Sequence, residues 1–354
     1  MRTATTVEGS SDPAAVDFVV EAERLGLDEC WVAEAWGSDA PSVLGFLAAR
    51  TERIRLGSGV IQVGTRTPVA IAQAALTLDA LSGGRFALGL GSSGPGVVEG
   101  LHGVPFARPA TRMRETIDVV RQAFAGDKIA YSGRTVAIPL PGGEGRPMRL
   151  SMPANPDLPI YVASLSPRML ELTGEVADGW LGTSFVPEGA AAYFDHLDAG
   201  LARAGRSRAD LTVCQGAEVA FADDEAELAA MVAARRRGLA FSLGGMGTAG
   251  TNFYHDAYAR QGWSEIAVAV RERWQSGDRD GAAALVPDEM VLATTLLGTE
   301  EMVRARLRVW RDAGVDTVRL YPAGDSLDER LTTLGRAIDL VREVPSAREQ
   351  LSAL

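Results

Sequence analysis

TPVAIAQAALTLDALSGGRFALGLGSSGPGVVEG, residues 67–100, is the stretch whose reading decides the fold. Thr67 suits an N-cap and Pro68 the first helical position, where a missing N–H is no loss and the fixed φ is already helical. Val69, Ala72 and Leu76 share one helical face and Ile71, Ala75 and Leu78 the next, so the helix is apolar nearly all round and predicts burial. Ser82-Gly83-Gly84 stops it. Residues 85–90, RFALGL, form a continuous apolar run of strand length, the pattern of a parallel strand covered on both faces. The glycine-rich loop 91–96 follows, where backbone N–H groups can approach an anion or a flat ring without interference from a Cβ. Taken alone, the same glycines also read as a packing turn. A helix feeding a buried strand, whose carboxyl end opens into such a loop, is half of an α/β repeat with a ligand end.

The repeat extends outward in both directions. Residues 1–7 read as a short first strand, and Asp12-Pro13 open a helix that Gly26 stops. Residues 30–33 read as the second strand, ending at Glu34, where barrel active sites are built; a solvated strand end is the plain alternative. A helix over 40–50 leads to a third strand over 54–61 with small residues near its end, which mark a bulge or a close approach by a ligand. Helix 109–124 precedes a departure from alternation, a glycine-turn hairpin over 129–138 and then a proline-rich excursion to residue 159.

Regularity returns with strand 160–163 and a helix after Ser166-Pro167, whose open start is a ready anion site or an ordinary cap. Strands over 179–182, 211–220 and 315–321 complete eight, with helices from 187, 223, 299 and 327. Residues 243–263 mix glycines, aromatics and His255, and resemble a flexible cap over a pocket more than a core helix. The economical fold is α/β, a (β/α)8 TIM barrel in a single domain over 1–354, with insertions at about 125–159 and 243–290.

The chain has 354 residues, 46 of them acidic and 35 basic, for a net charge of −11, which leaves no electrostatic footprint for nucleic acid or an anionic membrane. Two cysteines in apolar runs argue against a disulfide framework. The amino terminus has no signal-peptide pattern, and no apolar run reaches the length of a bilayer span. The expectation is a cytoplasmic enzyme acting on a small molecule, with neither nucleic acid nor membrane as partner. His102, His196 and His255 show no metal-ligand spacing, and neither a nucleophile elbow nor a Walker loop is present, so no metal site is expected. Gly and Ser at the strand ends suit a phosphate-bearing organic cofactor that carries the chemistry itself.

LDALSGGRFALGLGSSGP at 78–95, ASLSPRMLELTGEVADGW at 163–180 and the GGMG...NFY segment at 244–254 resemble the bacterial-luciferase-like superfamily. Within it they are most similar to the branch that uses the deazaflavin coenzyme F420, which includes methylenetetrahydromethanopterin reductase. The resemblance implies a non-prolyl cis peptide at Gly59-Val60 backing the deazaflavin ring. It implies Glu34 at the ring edge as the catalytic acidic residue, Gln62 near the ring, Ser92 on the tail side, and Ser164, Leu165 and Ser166 as a backbone and hydroxyl cradle for the phosphate. Trp36, Thr183, Tyr254 and His255 are candidates for the substrate pocket. Many relatives carry a histidine where this chain has Ala35, and the glutamate of the sugar-phosphate dehydrogenase falls at Gly94. Both departures argue against glucose 6-phosphate.

The leading expectation is an F420-dependent oxidoreductase that transfers a hydride to or from an unidentified small organic substrate. The alternatives are an FMN-dependent monooxygenase using reduced flavin and oxygen, and a non-catalytic flavin-binding barrel. Dimers formed through the early helices are frequent in the superfamily, which extends to this chain as an expectation of a homodimer.

Overall fold

The computed structural model describes residues 1–8, 13–248 and 250–344, so Asp12 and the last ten residues of the expected domain lie outside the described residues. The strands are β1 (Arg2–Glu8), β2 (Glu29–Ala33), β3 (Arg55–Ser58), β4 (Ile61–Gln62), β5 (Phe86–Gly91), β6 (Tyr131–Ser132), β7 (Ala137–Ile138), β8 (Ile160–Ala163), β9 (Gly179–Leu181), β10 (Thr212–Phe221), β11 (Leu296–Gly298) and β12 (Thr317–Pro322). Eight of them run parallel in the order β12-β1-β2-β3-β5-β8-β9-β10, and pairing of β10 with β12 closes the barrel. The expected TIM barrel is the observed fold.

The segment that decided the fold is built as its residues dictate. Thr67 accepts a hydrogen bond from the Ala70 N–H, Pro68 opens helix Pro68–Ser82, and Gly83 ends it in the left-handed region at φ 67°. Strand β5 follows, buried at every position. Outside the barrel, the aliphatic faces of strands and helices merge into one large core. Inside it, Trp31, Tyr161, Ala87, Leu181 and Cys214 form a plug, with the Trp31 and Tyr161 rings edge to face at 4.9 Å. At the amino-terminal end of the barrel, Arg2 pairs with buried Glu29 at 2.9 Å.

The third strand is not continuous. Gly57 lies opposite Ala87, but Ile61 lies opposite Leu90, so four steps on one strand match three on its neighbour. The surplus residue is a bulge centred on Gly59-Val60, whose peptide bond is cis. The ladder is bridged there by Ser58, whose hydroxyl donates to the Gly89 carbonyl and accepts from the Gly89 N–H, both at 2.9 Å.

Two excursions leave the alternation. The first carries the expected hairpin, Tyr131 opposite Ile138 and Ser132 opposite Ala137, plus a bridge from Ile129 to Met148. The second is wider than 243–290. It is helical from Glu225–Gly244 to Asp288–Thr294, because Val232, Ala240, Leu243, Tyr258, Ala267, Val270 and Met290 give it a core of its own. Strand β11, three residues long and paired with the far end of β10, is too short for a periodicity to reveal. Both cysteines are free and buried, and no described helix is long and apolar enough to cross a membrane.

The bulge makes a test of packing available. A Cβ on Gly91 would run into the Val60 side chain, whereas one on Gly94 meets nothing within 4 Å. Gly91→Ala should lower the unfolding free energy in denaturant titration by about 1–3 kcal/mol, the usual cost of overpacking. Gly94→Ala should stay within about 0.5 kcal/mol of the parent.

Candidate functional site

The carboxyl ends of the barrel strands form a mouth whose floor is apolar. Val60 on the bulge and Ala163 at the end of β8 pack onto the interior plug and cover it. At one side of this floor stands Gln62, which is buried and donates from Nε2 to the Glu34 and Ala35 carbonyls at 3.1 and 2.9 Å. Its Oε1 is buried with no protein partner. Glu34 follows the last residue of β2. Its carboxylate accepts from the Ala40 N–H at 3.2 Å and pairs with Arg66, which also pairs with Asp39. The pairing raises the Arg66 pKa, chiefly through the hydrogen bond to Glu34. Glu34 is therefore also a strut between β2, the loop after β4 and the next helix.

A roof crosses the mouth from the second excursion. The sequence suggests a flexible cap at 243–263, but the structure builds a bonded helix there. Asn252 caps helix Phe253–Tyr258 by accepting from the Tyr254 and His255 N–H groups, and its Nδ2 donates to the Ser242 and Leu243 carbonyls. A π-turn follows. In it, Arg260 donates to the Leu165 carbonyl at 2.6 Å, and Gln261 donates to the Ser184 carbonyl and accepts from the Val186 N–H, each at 2.7 Å. These bonds fasten the roof to the ends of β8 and β9.

Of the substrate-pocket candidates, Tyr254 is the one the roof brings to the barrel. Burial raises its pKa first, and the nearby phenol of Tyr321 on β12 adds to the shift. His255 is buried, with Nδ1 3.1 Å from Asp256 Oδ1 and Nε2 without a protein partner. Trp36 stands 66% exposed in the loop after β2, and Thr183 is exposed after β9 with its carbonyl accepting from Tyr193.

The expected phosphate cradle is only partly as the sequence implied. Thr173 donates its proton to the Met169 carbonyl, which leaves Ser164 as the donor in the 2.8 Å Ser164–Thr173 pair. The Ser164 hydroxyl is thus bonded to Thr173 inside the fold. The Leu165 carbonyl is occupied by Arg260. Ser92 turns its hydroxyl onto the Ser93 carbonyl at 3.3 Å. Ser166 alone of the three lines a cavity of about 290 Å³, together with Arg108, Pro109, Ala110, Thr111, Arg134, Arg168 and Met169.

Arg134 reaches that cavity through a buried carboxylate. Glu115, on helix Pro109–Phe124, accepts from the N–H groups of Arg134, Thr135 and Val136 at 2.6, 2.7 and 2.9 Å and from the Thr135 hydroxyl at 2.6 Å. Burial alone would raise its pKa, but these hydrogen bonds outweigh burial and lower it. The turn of the hairpin is pinned to the helix by one side chain.

A closed parallel barrel with an apolar floor and an orphaned acceptor at its carboxyl-end mouth defines a (β/α)8 protein with a candidate ligand site at that end. The chain belongs to the luciferase-like monooxygenase family, whose model matches residues 2–317. It is 42% identical over 318 residues to a Mycobacterium tuberculosis protein whose name gives it an inferred coenzyme F420-dependent oxidoreductase activity, covering 88% of this chain and 90% of that one. It is 31% identical over 330 residues to the 5,10-methylenetetrahydromethanopterin reductase of Archaeoglobus fulgidus, covering 91% and 93%. Its fold matches the coenzyme F420-dependent tetrahydromethanopterin reductase of Methanopyrus kandleri with a TM-score of 0.80 at 23% identity, over 97% and 99% of the two chains.

Sequence reasoning missed Arg66, Ser58, Glu115 and the three cavity arginines. Glu115 left one usable signal, since the tight turn at 132–135 has backbone N–H groups that need an acceptor. Because folding lowers the Glu115 pKa, its stabilisation is full above the ordinary glutamate value of 4.5 and is lost as pH falls through the lower folded value. Glu115→Gln should reduce stability at neutral pH by about 1–3 kcal/mol and flatten the acid limb of the stability profile, read by denaturant titration across pH.

Proposed function

We propose that this protein is an F420-dependent oxidoreductase that moves a hydride between the deazaflavin and a small organic substrate. The observation that carries the reading is the floor of Val60 and Ala163, raised by the bulge and bordered by the unpartnered Gln62 Oε1, with a cationic cavity at its flank. These residues fit an anionic cofactor with a flat ring: an apolar seat, an acceptor for a ring N–H, and guanidinium groups for its charged end. The relatives named for this coenzyme support the choice, and the 42% identity runs through nearly the whole chain.

The deazaflavin, when bound, supplies the hydride chemistry at its C5. The chain's own residues bind, orient and shield. Glu34, fixed by Arg66 and the Ala40 N–H, borders the ring edge, while Gln62 holds the end of β2 against the bulge. Ser166, Ser92 and the backbone at Ser164 and Leu165 border the anionic end, with Ser164 acting through its backbone only. Tyr254 and His255 close the mouth from above and exclude water, and Trp36 and Thr183 stand at its rim. Tyr254 stays protonated at neutral pH, since burial raises its pKa, and so presents an O–H donor toward the substrate side.

A parallel titration with F420 and with FMN, followed by quenching of tryptophan fluorescence, tests the reading. We expect selective F420 binding with a dissociation constant at or below about tens of micromolar. Binding of reduced FMN with oxygen-dependent turnover, and none of F420, would replace this reading with the monooxygenase one.

A further inference from the structure

The last barrel strand carries a charged side chain into the barrel interior. Arg319 on β12 lies opposite Ala4 on β1, and Ala4 belongs to the interior plug, so the arginine faces the same way. It is only 6% exposed. One guanidinium nitrogen, Nη2, donates to the carbonyl of Gly182, the first residue after β9, which places the group at the carboxyl ends of the strands. Nε is buried with no protein partner.

A guanidinium keeps its charge at any working pH, and one taken out of water needs an anion beside it. A single carbonyl does not supply one. The carboxylate of Glu29 also faces the interior, two residues before Trp31, but it lies toward the amino-terminal end of the barrel. It is already paired with Arg2 at 2.9 Å and accepts from the Trp31 indole N–H at 3.2 Å. Arg319 makes no ion pair among the described residues, so the barrel interior is left with a surplus positive charge at its mouth.

The strand order shows which side of the mouth this charge occupies. In the closed order β12-β1-β2-β3-β5-β8-β9-β10, β12 stands directly across the barrel from β5. The apolar floor lies on the β5 side, with Val60 just before β4 and Ala163 at the end of β8, both strands being paired with β5. Arg319 therefore enters from the wall opposite the ring's seat. The same wall meets the roof, where Tyr254 lies near the phenol of Tyr321, two residues beyond Arg319 on β12. Gly216, opposite Arg319 on β10, leaves room for that phenol, because a Cβ there would run into its oxygen. Thr6, two residues beyond Ala4 on the same face of β1, adds a buried hydroxyl with no protein partner.

We propose that Arg319 holds a carboxylate of the substrate, and so selects organic acids over neutral molecules. Giving that carboxylate to the substrate rests on the F420 reading, which seats the cofactor ring on the opposite wall; the anion site itself does not.

The test uses acetate and benzoate as probes, with acetamide and benzamide as their neutral counterparts, read by melting temperature and isothermal titration calorimetry with and without F420. We expect wild type to bind at least one carboxylate about tenfold or more tighter than its amide. An arginine that only braced the Gly182 carbonyl would give no such preference. Arg319→Met should abolish the preference. Arg319→Lys keeps the charge but loses the planar fork, and should weaken carboxylate binding by about threefold or more. The lysine variant decides the matter if the methionine variant does not fold. Carboxylates bound by wild type no better than amides, or bound by Arg319→Lys as tightly as by wild type, would overturn the proposal. Saturating F420 should leave carboxylate binding in place, whereas displacement by F420 would give Arg319 to the cofactor and overturn the substrate assignment. If F420 does not bind while Arg319-dependent carboxylate binding persists, the cofactor reading fails and the anion site stands.

Discussion

A single hydroxyl holds the mouth of this barrel open. Where β3 gains one residue on β5, the ladder between them cannot run on, and Ser58 replaces the missing backbone pair by bonding both polar groups of Gly89. A bulge with unpaired backbone groups in a buried sheet would cost several hydrogen bonds. With them satisfied, Val60 is lifted over Gly91, which can accommodate it only because it lacks a Cβ. The floor and the seat of Gln62 follow from that displacement, and Gln62 in turn bonds the Glu34 carbonyl.

The site joins two unlike ends. At the bulge its floor is apolar, formed by Val60 and Ala163, while toward the hairpin it is lined by Arg108, Arg134 and Arg168. The two ends are connected by β8, whose last residue, Ala163, belongs to the floor and whose following residues lead into the helix start at Ser166. A ligand that is flat at one end and anionic at the other matches this polarity. The roof is fastened independently of either end, through Arg260 and Gln261, so substrate access is bounded by a bonded helix.

Much of this was legible in the sequence. The barrel strands announce themselves as short apolar runs separated by capped helices, and the small residues over 57–59 point to a bulge before the structure shows one. What stayed hidden depends on contacts between distant positions. Arg108, Arg134 and Arg168 come from a helix start, a hairpin turn and another helix, and nothing local marks them as neighbours. Ser164 reads as a ligand hydroxyl, yet it is hydrogen-bonded to Thr173, nine residues on along the next helix. Glu34 reads as a free strand-end acid, yet Arg66 holds it. Residues 243–263 look irregular because glycines and aromatics obscure the period, while the decisive feature, an Asn252 cap bonded both ways, leaves little trace in composition.

The most direct test of the account is a crystal structure of the protein with F420 bound. The account predicts the deazaflavin ring seated on Val60 and Ala163 beside Glu34 and Gln62, with the phosphate next to Ser166. A ring bound away from the bulge, or an anionic end pointing away from the arginine cavity, would contradict it.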